Sequence, residues 1–133
     1  MFDQLADGVF RRRYESLDLN VGVVLGEDGA LIIDTRASHV EADELLDELG
    51  TLTSLPVRWV IDTHWHWDHT FGNARFPAAE IWGHERCRDV MLDRADSMKE
   101  DAASWLPDRL AEFAEVVITP PTRFFDTLAR IDL

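Results

Sequence analysis

Residues 63–73 read THWHWDHTFGN, and this segment contains the most specific motif in the sequence. Three of the five histidines and one aspartate fall within it at close spacing: His64, His66, Asp68 and His69. In an extended segment side chains alternate between two faces, so His64 and His66 point to the same side and can hold one metal ion. If a short helix through residues 70–74 follows, Asp68 and His69 diverge and can reach a second ion. The spacing therefore predicts a metal site with these four ligands.

The donor types in this loop predict the metal and its chemistry. Imidazole nitrogen with carboxylate oxygen suits zinc, and iron or manganese would also be accepted. A bound dication lowers the pKa of its water towards neutrality and polarises the carbonyl or phosphoryl oxygen under attack. Asp68 then both ligates a metal and accepts a hydrogen bond from the attacking water. We therefore expect hydrolysis, with Asp68 as catalytic residue and one or two zinc ions as cofactor.

The alternative interpretation is a loop whose histidines only form hydrogen bonds or face solvent. Given the histidine and aspartate content of the chain, this spacing would arise by chance in about one sequence in a thousand. The motif therefore favours metal binding.

The residues before this loop predict two adjacent strands and a helix. Residues 19–26 and 30–34 are rich in β-branched and apolar side chains, and residues 27–29 (EDG) offer the turn of a hairpin. Ser38 and Glu41 form a capping-box pattern, and Gly50 stands where the helix would stop. Apolar residues follow the cap at helical spacing, namely Ala42, Leu45, Leu46 and Leu49.

The remaining elements predict an α/β layout. Residues 57–61 are a strand candidate that ends just before the histidine-rich loop, and sheets of this class bind ligands beyond the carboxyl ends of their strands. Residues 79–82 predict a further strand, and residues 85–115 are helical in composition with a break near Pro107. Residues 124–133 are extended in character. We expect residues 1–133 to form a single domain.

The sequence THWHWDHTFGN resembles the His-x-His-x-Asp-His signature of the metallo-β-lactamase superfamily. The form is that of its general bacterial hydrolases, including relatives of hydroxyacylglutathione hydrolase. Residues 20–35 (NVGVVLGEDGALIIDT) and the helix after them are similar to the amino-terminal half of that family.

The resemblance implies an αββα sandwich with two metal ions. His64 and His66 would bind the first ion, and Asp68 and His69 the second. Asp34, at the end of a strand, matches a position that in the family supports the metal loop, although a strand-terminating aspartate is an equally good interpretation.

Several features of the family's active site are not found in this sequence. Family members usually need roughly another seventy or more residues, which exceeds normal loop variation. Those residues carry a further histidine for the first ion, a bridging aspartate and a last histidine. We therefore expect residues 1–133 to be a partial domain, the amino-terminal half of the sandwich, with little or no activity by itself.

The charge balance restricts the partners. The 26 acidic and 13 basic residues give a formal net charge of -13, which repels nucleic acid and anionic membranes. The sequence has no run of membrane-spanning length, and its single cysteine, Cys87, does not call for an oxidising compartment. We therefore expect a cytoplasmic protein with a small-molecule substrate, no nucleic acid and no membrane partner. The oligomeric state stays open.

The leading functional hypothesis is a metal-dependent hydrolase acting on an ester, thioester, lactone or amide. A nuclease of the superfamily is disfavoured by the acidic balance, and an oxygen-reducing di-iron relative would carry glutamate where His66 stands. The alternative, a protein that is not an enzyme, is a non-catalytic metal-binding or interaction fragment that has lost turnover. His84 and Cys87 share a helix spacing that would suit a metal, but a helix-start histidine and a packed thiol are the simpler interpretation.

Overall fold

A mixed seven-stranded sheet forms the centre of the structure, a computed structural model that describes residues 1–133. The strands lie in the sheet in the order of the sequence. They are β1 (Asp3–Ala6), β2 (Val9–Tyr14), β3 (Leu19–Leu25), β4 (Ala30–Ile33), β5 (Val57–Ile61), β6 (Glu80–His84) and β7 (Arg123–Phe125). Strands β1 to β4 pair antiparallel and β4 to β7 pair parallel. The predicted α/β class is confirmed.

The hairpin predicted before the metal loop is present. Strands β3 and β4 pair antiparallel with Gly22 opposite Ile33, and the Gly26 N–H donates to the Gly29 carbonyl at 2.9 Å to close the turn. Strand β4 then pairs parallel with β5. This pairing places the ends of β4 and β5 side by side, at the edge where the metal loop begins.

Helix α1 (His39–Leu52) connects β4 to β5. Its cap is the predicted one, since the Ser38 hydroxyl accepts from the Glu41 N–H at 3.2 Å. The Glu41 carboxylate accepts from the Ala37 N–H and not from Ser38, so only half of the capping box forms. The predicted stop at Gly50 is wrong, because one exposed glycine costs only about 1 kcal/mol and Leu52 beyond it still packs against the core.

Two apolar clusters stabilise the fold. The first lies between α1 and one face of the sheet, where alternate strand residues meet the buried side of the helix: Val21, Val23, Ile32, Val60 and Ile81 against Ala42, Leu45 and Leu49. Each large side chain so buried contributes about 1.5–3 kcal/mol. Burial of these alternate strand residues against α1 therefore holds the helix on this face of the sheet.

The second cluster joins the metal loop to the helical segment. That segment contains α3 (Glu85–Asp93), α4 (Ala95–Trp105) and α5 (Leu110–Glu115), with a 3-10 turn at Pro107–Arg109 where the break was predicted. The cluster contains Trp67 and Phe71 from the loop region, and Cys87, Met91, Met98, Ala102 and Phe113 from the helices. No helix of the structure has the length and apolar character needed to cross a membrane.

The last residues of the chain lie across the other face of the sheet. The predicted extended segment, residues 124–133, forms a strand only at its start, in β7 (Arg123–Phe125), and residues 126–133 continue without regular pairing. They line a shallow apolar groove with Leu31, Ile61 and Trp82. Leu133 reaches Gly26, where a Cβ would lie 2.7 Å from the Leu133 Cβ.

Candidate metal centre

The histidine-rich loop leaves the carboxyl end of β5 and turns at once into a short helix. This helix, α2, spans Trp67–Thr70, and a 3-10 turn follows at Asn73–Arg75. The helix thus starts three residues earlier than predicted. The reason is the Trp67 ring, which is 5% exposed and packs edge-on against Phe113 with ring centroids 5.7 Å apart. Burial of Trp67 therefore fixes the loop against the helical segment.

The four predicted ligands lie together. The His64 ring centroid is 4.6 Å from that of His66 and 4.1 Å from that of His69. The Asp68 carboxylate comes within 3.4 Å of the His69 Nε2 atom. Since His69 is no farther from His64 than His66 is, the side chains form one cluster and are not separated into two pairs. The division between two ions stays a prediction.

Asp34 lies beneath this cluster and fixes His69. Its side chain is almost fully buried and accepts from the Thr63 backbone N–H at 2.8 Å and from the Thr63 hydroxyl at 2.8 and 3.0 Å. The His69 Nδ1 atom lies 2.7 Å from Asp34 Oδ2. A carboxylate only accepts hydrogen bonds, so in the neutral imidazole Nδ1 carries the proton and the lone pair of Nε2 is left free. This is the arrangement by which carboxylates orient metal-binding histidines.

The surroundings shift the pKa values of two histidines in opposite directions. Burial lowers the pKa of His64, and the neighbouring imidazoles His69 and His66 lower it further. Burial also acts to lower the pKa of His69, but the hydrogen bond to Asp34 and the charges of Asp34 and Asp68 outweigh it and raise the net value. His64 is therefore kept neutral at pH 7, the form in which imidazole binds metal.

A buried polar network supports the loop from below, and the sequence did not reveal it. Asn73 Nδ2 donates to Asp62 Oδ2 at 2.8 Å and to the Thr119 carbonyl at 2.9 Å, and the Thr35 hydroxyl donates to Asn73 Oδ1 at 2.7 Å. Asp62 is 3% exposed, and burial holds the pKa of its carboxyl well above the usual range. Asn73 thus joins three chain segments, at Thr35, Asp62 and Thr119.

Gly72 permits a close approach between the two loops that form the site. A Cβ at this position would lie 2.0 Å from the Thr35 carbonyl oxygen and 2.7 Å from the Ala42 Cβ. Its φ of -83° is open to any residue, so no unusual backbone conformation requires a glycine here. The absence of a side chain is what this position requires.

The cluster fits a divalent metal in donor type, but its side chains are not arranged around a single ion. Imidazole nitrogens and a carboxylate suit zinc, and His69 presents Nε2 beside Asp68. No group of three or more His, Cys, Asp or Glu side chains is arranged to hold one ion. Catalytic zinc sites place three protein ligands around each ion, so in this arrangement the loop would need further donors to complete such a site.

His84 and Cys87 do not form a second metal site. The His84 Nδ1 atom accepts from the Arg86 N–H at 3.0 Å, and Nε2 lies 2.9 Å from the Asp126 carbonyl. Cys87 is buried beside Met91, and burial raises the pKa of its thiol to about 12. The simpler interpretation, a helix-capping histidine and a packed thiol, agrees with these contacts.

A cleft opens beside the candidate ligands. It has a volume of about 310 Å³ and is lined by Leu17, His66, Trp67, Asp68, Asp101 and Trp105. The indole of Trp105, at the end of α4, is exposed. The cleft thus combines apolar walls with two carboxylates and a candidate metal ligand.

Comparison with known proteins identifies the family. The family model of the metallo-beta-lactamase superfamily matches residues 17–129. The chain therefore belongs to the metallo-β-lactamase superfamily, as its metal loop and hairpin predicted. A comparison with curated proteins gives no match.

Solved structures show the same fold. The metallo-β-lactamase from Pontibacter korlensis superposes with a TM-score of 0.67 and 17% identity, covering 100% of this chain and 55% of that protein. The enzyme from Hirschia baltica gives 0.65 and 15%, with coverages of 98% and 53%. FIM-1 from Pseudomonas aeruginosa, in its mono-zinc form, gives 0.61 and 16%, with 94% and 50%. These superpositions confirm the predicted fold class, a metallo-β-lactamase sandwich. The chain spans about half the length of these structures, so it corresponds to part of that sandwich.

Proposed function

We propose that this chain carries the metal-binding loop of a metal-dependent hydrolase. His64, His66, Asp68 and His69 are the proposed ligands, and zinc is the proposed metal, with iron or manganese as the other candidates. The observation that carries the proposal is the hydrogen bond between Asp34 and His69 Nδ1, which frees Nε2 beside Asp68. A loop whose histidines served only as surface residues would have no need of a buried carboxylate that fixes one tautomer.

The proposed reaction is hydrolysis of an ester, thioester, lactone or amide. A divalent ion, when bound, supplies an acidified water and polarises the oxygen under attack. Asp68 is the proposed catalytic residue, because its partly exposed carboxylate borders the cleft and can accept a hydrogen bond from water there. The apolar walls at Leu17 and Trp105 suit a small substrate with an apolar group.

The second candidate function is a non-catalytic metal-binding or interaction fragment. It is favoured by the lack of any group of three donors arranged around one point within residues 1–133. The superfamily resemblance calls for a further histidine, a bridging aspartate and a last histidine. We propose that residues 1–133 form a partial domain and hydrolyse little or nothing without those groups.

Zinc binding and turnover by the purified chain separate the two candidates. We expect zinc to bind, and we expect His66→Ala to weaken it, with no hydrolysis of a thioester or lactone above the rate in buffer. Hydrolysis that is lost in His66→Ala and restored to the zinc-free wild type by added zinc would overturn the proposed inactivity and establish an enzyme. A chain that binds no zinc would overturn the metal proposal itself.

A further inference from the structure

The short loop that follows β4 contains two non-glycine residues in the left-handed backbone region. Asp34 has a φ of 66° and Arg36 a φ of 74°. Aspartate visits this region with some ease, because its short side chain bonds locally, whereas a long side chain such as arginine seldom does. Such conformations persist only where the surrounding contacts hold them. Arg36 is therefore where the loop needs support.

The side chain of Arg36 supplies that support. It is 4% exposed, and its Nη1 atom donates to the Glu41 carbonyl at 2.8 Å and to the Glu44 carboxylate at 2.9 Å. Its Nη2 atom lies 3.4 Å from the Glu41 carboxylate, and the guanidinium stacks on the Tyr14 ring at 3.6 Å. Both the first turn of α1 and strand β2 therefore hold this side chain.

The two residues before Arg36 in the same loop, Asp34 and Thr35, hold the histidine-rich loop. The Thr35 N–H donates to the His69 carbonyl at 2.8 Å. Asp34 accepts from Thr63 and orients His69. A change in the backbone at Arg36 would shift Thr35 and Asp34 together, because only one residue separates the two left-handed positions.

We propose that Arg36 is a positioning residue for the metal centre. Its buried guanidinium holds the left-handed backbone at residue 36, which places the Asp34 carboxylate on His69 Nδ1 and leaves Nε2 free for a metal. This inference rests on the proposed function, because the position of His69 matters for a metal only if the loop binds one. Its structural part, the fixed tautomer of His69, can be measured without any metal.

The test compares Arg36→Ala with Arg36→Gly in the full 133-residue chain. Alanine removes the guanidinium but keeps the unfavourable backbone, whereas glycine adopts this φ at no steric cost. Nitrogen NMR of the metal-free chain at about pH 9, where imidazole is neutral, reports which His69 nitrogen carries the proton. We expect Nδ1–H in the wild type, a shift towards the Nε2–H form in Arg36→Ala, and recovery of Nδ1–H in Arg36→Gly.

Zinc affinity, measured by competition with a chromophoric chelator, gives the second readout. Arg36→Ala should lose about tenfold to a hundredfold, the usual effect of removing support behind a metal-bound histidine. Arg36→Gly should recover most of that loss. Arg12→Ala is the matched control, since Arg12 lies over the same Tyr14 ring at 4.6 Å and pairs with Glu48 at 2.5 Å without touching the loop. It should lower stability and leave both the tautomer and zinc affinity unchanged.

The outcomes separate this inference from the proposed function. A wild-type tautomer in Arg36→Ala overturns the inference, as does a glycine variant that is as impaired as the alanine variant. The same applies if Arg12→Ala changes His69 as much as Arg36→Ala does. A wild-type chain that binds no zinc overturns the metal proposal alone, because the tautomer still decides the role of Arg36.

Discussion

Replacing Gly72 by alanine should separate the two loops of the candidate metal centre. The added Cβ would lie 2.0 Å from the Thr35 carbonyl oxygen, and real Cβ atoms essentially never come closer than 3.0 Å to another heavy atom. The two segments would have to move apart by at least the difference, 1.0 Å. The Thr35 N–H bond to the His69 carbonyl, 2.8 Å long, would not survive such a movement.

The free-energy change follows from opposing contributions. Overpacking costs about 1–3 kcal/mol, and the lost hydrogen bond about 1 kcal/mol more. The lower entropy of the unfolded alanine chain offsets about 0.4–1 kcal/mol, because the φ of Gly72 suits alanine. We therefore expect Gly72→Ala to lower the free energy of unfolding by about 2 kcal/mol and to weaken zinc binding about tenfold or more.

Gly50→Ala provides the control for this experiment. Gly50 lies inside α1, is exposed, and has no atom within 4 Å of its Cβ position. The same chemical change should therefore raise the free energy of unfolding by about 0.5–1 kcal/mol. Urea denaturation measures both variants. A free energy of unfolding for Gly72→Ala within about 0.5 kcal/mol of the wild-type value is the spread usual for neutral surface changes. That result would show that the two loops do not approach each other this closely at Gly72.

Three further predictions concern single groups. Asp34→Asn should weaken zinc binding about tenfold to a hundredfold in a chelator competition, because the amide no longer fixes His69 as the carboxylate does; unchanged affinity would contradict that role. Burial raises the pKa of Tyr14 to about 12, so the contribution of this side chain to stability should be constant below about pH 10 and fall by up to about 3 kcal/mol between pH 10 and 12, where only the unfolded tyrosine ionises. Alkaline unfolding curves should lose this fall in Tyr14→Phe, and an identical curve would disprove it. The Cys87 thiol should react with a disulfide reagent at pH 8 at least about a hundredfold more slowly in the folded than in the unfolded chain, and fast labelling of folded protein would contradict its burial.

Local sequence patterns were sufficient for the hairpin, the start of α1 and the grouping of the four candidate ligands in one loop. Each depends on residues close together in the chain: the β3–β4 turn at residues 27–29, the Ser38 hydroxyl on the Glu41 N–H, and the histidines of the loop. In these regions the local preference and the tertiary packing agree, so the pattern predicts the structure.

Long-range contacts explain what the sequence did not predict. Asn73 bonds to Thr35, Asp62 and Thr119, which come together only once the sheet has formed. Nothing in the local sequence marks Arg36 as left-handed, because its support comes from α1 and Tyr14. The wrong stop at Gly50 has the opposite origin, since packing of the helix outweighed a small local preference.

The most direct test of the central claim is zinc X-ray absorption of the loaded chain. We expect scattering from at least two imidazole nitrogens at about 2.0–2.1 Å, with one imidazole fewer in His66→Ala. Sulfur in the coordination shell, which would implicate Cys87, or a spectrum that His66→Ala leaves unchanged, would show that the zinc binds elsewhere. Either result would contradict the assignment of the metal to the loop at His64, His66, Asp68 and His69.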